Sequence, residues 1–240
     1  MARAGGKPQQ DEQTSSSTRR QLMENEVLQH ATRLFAERGF SGTSLQDVAE
    51  SMGLKRPALY YYFKSKDALL ERLVTDATLG PARRLREIGA QTELDPPARL
   101  HAMATWIVRW IDENRGLFLL LVRSESDLSA ASAKKFRQGR RSTLEAVRTV
   151  IEEGVQGGQF RSVDARIASL GVWGICNWVA FWYHPERSEH SIDTIANQLA
   201  DMAVSGLLRA DRRESDILSP RTAIDAIRAN LDRLEQSLDL

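Results

Sequence analysis

The sequence predicts an all-α fold. Apolar residues recur at three- and four-residue intervals through most of the 240-residue chain. No stretch alternates apolar and polar residues as a half-buried strand does, and no repeat of solenoid period is present. Glycine and proline cut the apolar pattern into helix-sized pieces.

Residues 1–18, rich in Gly, Gln, Ser and Thr, are expected to form a disordered tail. Val27, Ala31, Leu34 and Phe35 then mark an amphipathic helix that ends at Gly39. Ser44, with Asp47 three residues on, has the spacing of a capping box for a helix that buries Leu45, Val48, Ala49 and Met52. Gly53 supplies a tight turn, and the next helix carries Pro57 in its first turn, where a missing N–H does no harm. Ser65 caps a fourth helix through Leu69, Leu70, Leu73 and Val74, expected to end near Gly80-Pro81. Residues 19–79 therefore read as a three-helix helix-turn-helix domain with its linking helix.

Residues 80–211 read as a larger helical domain. A segment from Asp95-Pro96-Pro97 runs to about Glu113, 117–122 is a short apolar piece, and 129–153 is a long polar helix. Gly157-Gly158 and Asp164 precede a tryptophan-rich helix closed by Pro185. Ser191 opens a helix with Ile192, Ile195, Leu199, Met202 and Gly206 on one stripe. In residues 212–240, Ile224, Ile227, Leu231, Leu234 and Leu238 follow Ser219-Pro220 as a narrow amphipathic stripe. It either packs back onto its own domain or contributes to dimerisation.

Hydrophobic residues make up 42% of the chain, enough for a core. Lysine plus arginine (33) nearly cancels aspartate plus glutamate (32), for a net charge of +1. Any affinity for nucleic acid must come from where the cations sit. A single cysteine, Cys176, excludes an internal disulfide and a cysteine-rich zinc site. No charged-then-apolar leader is expected from the opening residues, and the most apolar stretch, 170–183, is too short to span a bilayer. The expected location is the cytoplasm, with no membrane partner.

Residues 43–66 carry the clearest functional signal. Two short helices joined by a glycine turn place the second where it can enter the major groove of double-stranded DNA. Lys55 and Arg56 open that helix, and Arg56 has the fork geometry for a bidentate contact to guanine. Pro57 and Ala58 are small enough to let the helix lie deep. Leu59 and Phe63 are expected in the core, Tyr60 and Tyr62 near phosphates or base edges, and Tyr61 partly exposed. Ser44, at a helix N-terminus, can donate to a phosphate, and Gln46 can reach a base. Lys64 and Lys66 add cations at the start of the fourth helix. Arg19 and Arg20 lie where a basic arm would reach the adjacent groove, or else form part of a solvated tail.

The spacing of Ala31, Phe35, Gly39, Phe40, Thr43, Ser44, Asp47, Val48, Ala49, Gly53, Leu54, Leu59, Tyr60, Tyr62, Phe63, Lys66 and Leu69 resembles the amino-terminal domain of TetR-family bacterial transcriptional regulators. The likeness covers roughly residues 22–75. It implies a homodimer on a palindromic operator, an all-helical second domain that binds an inducer, and a phosphate-contacting role for Lys66. Lys55-Arg56-Pro57 departs from the Ser-variable-Gly of many relatives, so the serine cap of the recognition helix is missing.

In the second domain, Trp106 and Trp110 sit one turn apart, and Trp173, Asn177 and Phe181 form a stripe beside Trp178, Trp182 and Tyr183. Such stripes serve as core, as interface or as a ligand box. Residues 158–161, Asn177-Trp178, Trp182-Tyr183 and Gly206 resemble the regulatory domain of TetR-type repressors of sterol and fatty-acid catabolism, which respond to acyl-CoA thioesters. That resemblance implies an apolar tunnel for the acyl part and cations for the phosphates. The candidate ligand residues are Trp106, Trp110, Phe118, Arg123, Trp173, Asn177 and Phe181, with Arg109 and Arg115 as further cations. Helices over about 163–183 and 191–209 would pair two copies through Gly171, Gly174, Ala180, Ala196, Ala200, Ala203 and Gly206.

Other classes find little support. The sequence holds no phosphate-binding loop, dinucleotide fingerprint, nucleophile elbow or His-Glu-x-x-His, so neither catalysis, a cofactor nor a metal is expected. Cys176 lies among apolar residues, as an inert thiol does. The alternative reading is a DNA-binding regulator whose second domain only dimerises or binds a partner protein.

Overall fold

The structure is a computed structural model that describes residues 9–209 apart from 124, 126 and 127, with side chains from Thr18 onward. Among the described residues the chain is helical, and its one extended pairing is an isolated antiparallel bridge between Phe160 and Leu208. In order the helices are α1 (Gln9–Arg38), α2 (Leu45–Ser51), α3 (Arg56–Tyr62), α4 (Lys66–Gly89), α5 (Pro96–Glu113), α6 (Arg115–Arg123), α7 (Ala130–Gln156), α8 (Ala165–Asn177), α9 (Val179–Trp182) and α10 (Ile192–Ser205). The amphipathic stripe expected at 212–240 lies outside the described residues. No described helix is long and apolar enough to cross a membrane.

The chain forms two compact units, one of residues up to 83 with 111–143, the other of 84–110 with residues from 144 onward. A linear cut at 79 therefore does not describe the packing. The reason is that α6 lies along α1, and Leu120, Leu121, Leu128 and Phe136 share one buried cluster with Val27, Phe35, Leu59 and Leu69. The last residues of α5, all of α6 and half of α7 complete the core beneath the helix-turn-helix.

Two boundaries differ from expectation. Helix α1 begins at Gln9, inside the stretch expected to be disordered; 9–18 holds neither glycine nor proline, so nothing there ends a helix. Residues 1–8 of that expected tail lie outside the described residues. Helix α4 does not stop at Gly80-Pro81 but continues to Gly89 with Pro81 inside it. An interior proline costs about 3 kcal/mol. Beyond it, Ala82, Leu85 and Ile88 continue the buried stripe at 2%, 0% and 4% exposure. Each large side chain buried contributes about 1.5–3 kcal/mol, enough to offset the lost rung.

In the second unit, Arg99 of α5 closes the end of α4. Its guanidinium is 6% exposed, donates to the Gly89 carbonyl at 2.7 Å and pairs with Glu153 of α7 at 2.7 Å. Asp164 and Ser191 cap α8 and α10 by accepting from backbone amides. The tryptophan-rich segment is not one helix: at Trp178 it tightens, with the Phe181 amide bonding back to the Trp178 carbonyl, and α9 follows as a single turn.

Within the first unit α7 approaches α4 closely at Gly139, where an added Cβ would lie 2.2 Å from Cβ of Thr78. The Thr78 hydroxyl is held by the Val74 carbonyl at 2.7 Å, so the neighbour cannot swing aside. Gly139→Ala is expected to destabilise the fold by about 1–3 kcal/mol through overpacking. Thermal unfolding measures this, and an unchanged midpoint would show that the two helices separate freely.

Candidate nucleic-acid interface

The helix-turn-helix is built from local signals that agree. Ser44 caps α2: its Oγ accepts from the Asp47 amide at 3.2 Å, while Asp47 Oδ2 accepts from the Ser44 amide at 2.7 Å and hydroxyl at 2.5 Å. These bonds from Ser44, with Arg38 at 3.8 Å, hold the Asp47 carboxyl below the ordinary aspartate range. Gly53 turns the chain at φ 67, and the Leu54 amide bonds back to the Ala49 carbonyl at 2.8 Å. Lys55 is the N-cap of α3 without a side-chain cap bond, as the absent serine implied, and Pro57 needs no amide partner there.

Burial then sorts the faces of α3. Leu59 and Phe63 sit in the core at 0% and 7% exposure. Lys55, Arg56, Pro57, Ala58 and Lys64 are exposed. Tyr61 is the outward ring at 63% exposure, whereas Tyr60 and Tyr62 are half-buried against the core cluster. Tyr61 meets Tyr62 edge to face at 5.0 Å, and the Arg20 guanidinium lies 5.5 Å from the Tyr61 ring. Arg20 is also held by Glu24 at 2.9 Å, so it belongs to the ordered end of the reading face.

Several polar groups of this face already have partners within the chain. Arg56 donates to the Tyr60 hydroxyl at 3.0 Å and lies 5.2 Å from that ring, which aims the guanidinium along α3. The Ser44 hydroxyl is engaged by Asp47, so donation to a phosphate requires an exchange of partner. Gln46 donates to Glu50 at 2.7 Å, and its Oε1 is buried without a partner. Lys66 donates to the Phe40 carbonyl at 2.7 Å and lies 4.4 Å from the Phe40 ring. It thereby ties the start of α4 to the turn after α1, a role the sequence did not reveal, because the two residues stand far apart along the chain.

The candidate ligand residues are divided between the two units. Phe118, half-buried, and Arg123, exposed, belong to α6 in the first. In the second, Trp106 and Trp110 are half-buried and stacked at 6.3 Å. Trp173 and Asn177 are half-buried on α8. Phe181 is 43% exposed and lies 4.9 Å from Trp178. A concavity of about 400 Å³ lined by Trp182, Tyr183, His184, Arg187 and Ser188 contains none of them. Arg109 is engaged with Asp193 at 2.7 Å.

The second unit also presents an apolar outer face on α8, α9 and α10. Ile167 is 70% exposed, Trp178 61%, Met202 58%, Leu170 50% and Trp182 48%. A Cβ added at Gly171 or Gly174 would meet nothing within 4 Å, so this face is open. Ala180, Ala196, Ala200 and Ala203, read from the sequence as helix-pairing residues, are instead buried inside the unit, where α10 packs on α8. Cys176 lies beneath at 0% exposure, and burial pushes its thiol up to about 12.

Two family models match the chain. One, described as bacterial regulatory proteins of the tetR family, covers residues 27–73, and the other, described as a tetracyclin repressor-like C-terminal domain, covers 93–207. The chain is 30% identical over 203 residues to the HTH-type transcriptional repressor KstR2 of Rhodococcus jostii (strain RHA1), spanning 83% of this chain and 96% of the relative. The structure of ketosteroid transcriptional regulator KstR2 of Mycobacterium tuberculosis matches with a TM-score of 0.69 at 21% identity, covering 78% of this chain and 95% of that one. AibR, crystallised with isovaleryl coenzyme A and operator DNA, matches with a TM-score of 0.63 at 19% identity, over 75% of this chain and 96% of its own.

Three outcomes follow from the geometry. Arg56→Ala is expected to relax base preference at one position of the bound DNA sequence, at a cost of about 1–3 kcal/mol. Tyr60→Phe, which frees the guanidinium but keeps the ring, should cause a smaller loss at the same position; selection of binding sites from random DNA reads both. Cys176 should resist thiol reagents in the native chain at neutral pH and react once the chain is unfolded, since burial keeps its proton on. Rapid native labelling would place it at the surface.

Proposed function

The chain belongs to the TetR family of bacterial transcriptional regulators, and on that footing we propose that it is a homodimeric cytoplasmic repressor of a palindromic operator, released by an acyl-CoA thioester. The observation that carries this reading is the pairing of two faces on one chain. One is the outward side of α3, with Arg56, Pro57, Ala58 and Tyr61. The other is the apolar outer face of α8–α10, whose large exposed side chains ask for a partner surface. A second copy of the same face satisfies that demand isologously and sets two reading helices on half-sites one DNA turn apart, about 34–36 Å, or somewhat more.

Chemistry and kinship support this effector class. Within the second unit, Trp106, Trp110, Trp173, Asn177 and Phe181 would bind the apolar part. The KstR2 relatives are repressors, and AibR shares this fold while holding both a CoA thioester and operator DNA. Helix α4 supplies residues to both units, and a ligand that prefers a splayed pair of reading heads would act through it. In a second reading the second unit only dimerises or docks a protein, and the exposed apolar side chains Ile167, Trp178 and Met202 support it.

The test titrates operator-bound protein with acyl-CoAs from isovaleryl to sterol-derived acyl chains, with free CoA as control. About tenfold weaker operator binding with one class supports the proposal. No shift across the panel, with operator binding intact, favours the second reading. Trp178→Glu should yield a monomer in sedimentation and lose operator affinity; a wild-type chain that sediments only as a monomer at micromolar concentration would overturn the dimer.

A further inference from the structure

The first unit carries a groove that the reading head does not use. It has a volume of about 600 Å³ and lies between α1, α4 and the turn from α5 into α6. Leu28, Leu73 and Leu117 give it an apolar floor, and Gly116 keeps one wall low. A Cβ at Gly116 would meet only Cγ2 of Thr32, at 3.5 Å, so the backbone there is not crowded. The volume falls in the range of small-molecule sites, about 300–1,000 Å³.

The charges around the groove are unequal. Glu37, Asp76 and Glu113 line it against one cation, Arg33, so three carboxylates face one guanidinium. Asp76 shares its charge with Arg72 at 3.0 Å. Glu37 and Glu113 have no ion pair among the described residues. An apolar floor under a surplus of carboxylates disfavours anions and neutral polar ligands alike. It also disfavours a compact ammonium, which gives up strong hydration on entering an apolar site. A cation whose charge is spread over an apolar body gives up far less.

We propose that this groove binds a small lipophilic cation, with its apolar body on Leu28, Leu73 and Leu117 and its charge beside Asp76 and Glu113. The site is distinct from the aromatic residues of the second unit and does not depend on the identity of the effector there. Because Arg72 already engages Asp76, the bound cation competes with a side chain of the protein itself, and removing that competitor strengthens binding.

The experiment is calorimetric titration of the full chain, without DNA, by tetraphenylphosphonium and by tetraphenylborate, which share a shape and differ in the sign of charge. The cation is expected to bind at least about tenfold more tightly than the anion, a difference of about 1.4 kcal/mol. Asp76→Asn and Glu113→Gln should each weaken the cation severalfold, Arg72→Ala should strengthen it, and Gly116→Leu should abolish it by filling the groove. Equal affinities for the two ions, no binding of the cation, or cation binding unchanged in the Asp76→Asn/Glu113→Gln variant would each overturn the proposal.

Discussion

A seven-residue helix cannot hold itself together in water, and α3 is such a helix. Its first turn lacks a side-chain cap, and only Leu59 within it is fully buried. What keeps it formed is the insertion of Leu59, followed by Phe63, into a core that α1, α4 and α6 complete. Everything the reading head presents, from Arg56 to Lys64, is aimed by that one anchorage. The grouping of 111–143 with the helix-turn-helix follows from the same need. Helices α1, α2 and α3 alone enclose too little apolar volume, so the core is closed by Leu120, Leu121 and Phe136 from far along the chain.

The anchored face is set before DNA arrives. Arg56 rests on Tyr60, Arg20 on Glu24 and beside Tyr61, Ser44 on Asp47, and Lys66 on Phe40. On the proposed reading, any of these groups that meets DNA exchanges an internal partner for a phosphate or base edge. The return is then the difference between two hydrogen bonds, less than the ~0.5–1.5 kcal/mol that one such bond is worth net.

The local features were legible in the sequence because each is written in a few neighbouring residues. The apolar period, the Ser44–Asp47 box, the turn at Gly53 and the caps at Asp164 and Ser191 belong to this class. What depended on distant contacts was not. Pro81 looked like a stop until Leu85 and Ile88 were seen to be buried beyond it. Ala196 and Ala200 carry the small-residue pattern of a helix pair, but nothing in that pattern says whether the partner is α8 of the same chain or another copy. The three consecutive tyrosines belong with the legible features, because the spacing of Leu59 and Phe63 marks Tyr61 as the outward ring, and it is 63% exposed.

The two ends of α4 are held by different kinds of charge. At its start, Lys66 is half-buried, near exposed Lys64. At its end, Arg99 closes the Gly89 carbonyl from inside the second unit, with its Nε enclosed and without a partner. A charge enclosed by protein is poorly screened by dissolved ions. Ionic strength therefore acts unequally along this helix. Salt that competes with the reading head for phosphates weakens its grip on DNA steeply. The same salt leaves the clasp at Gly89 almost untouched, so the molecule can let go of its operator without loosening the far end of the helix that carries the reading head.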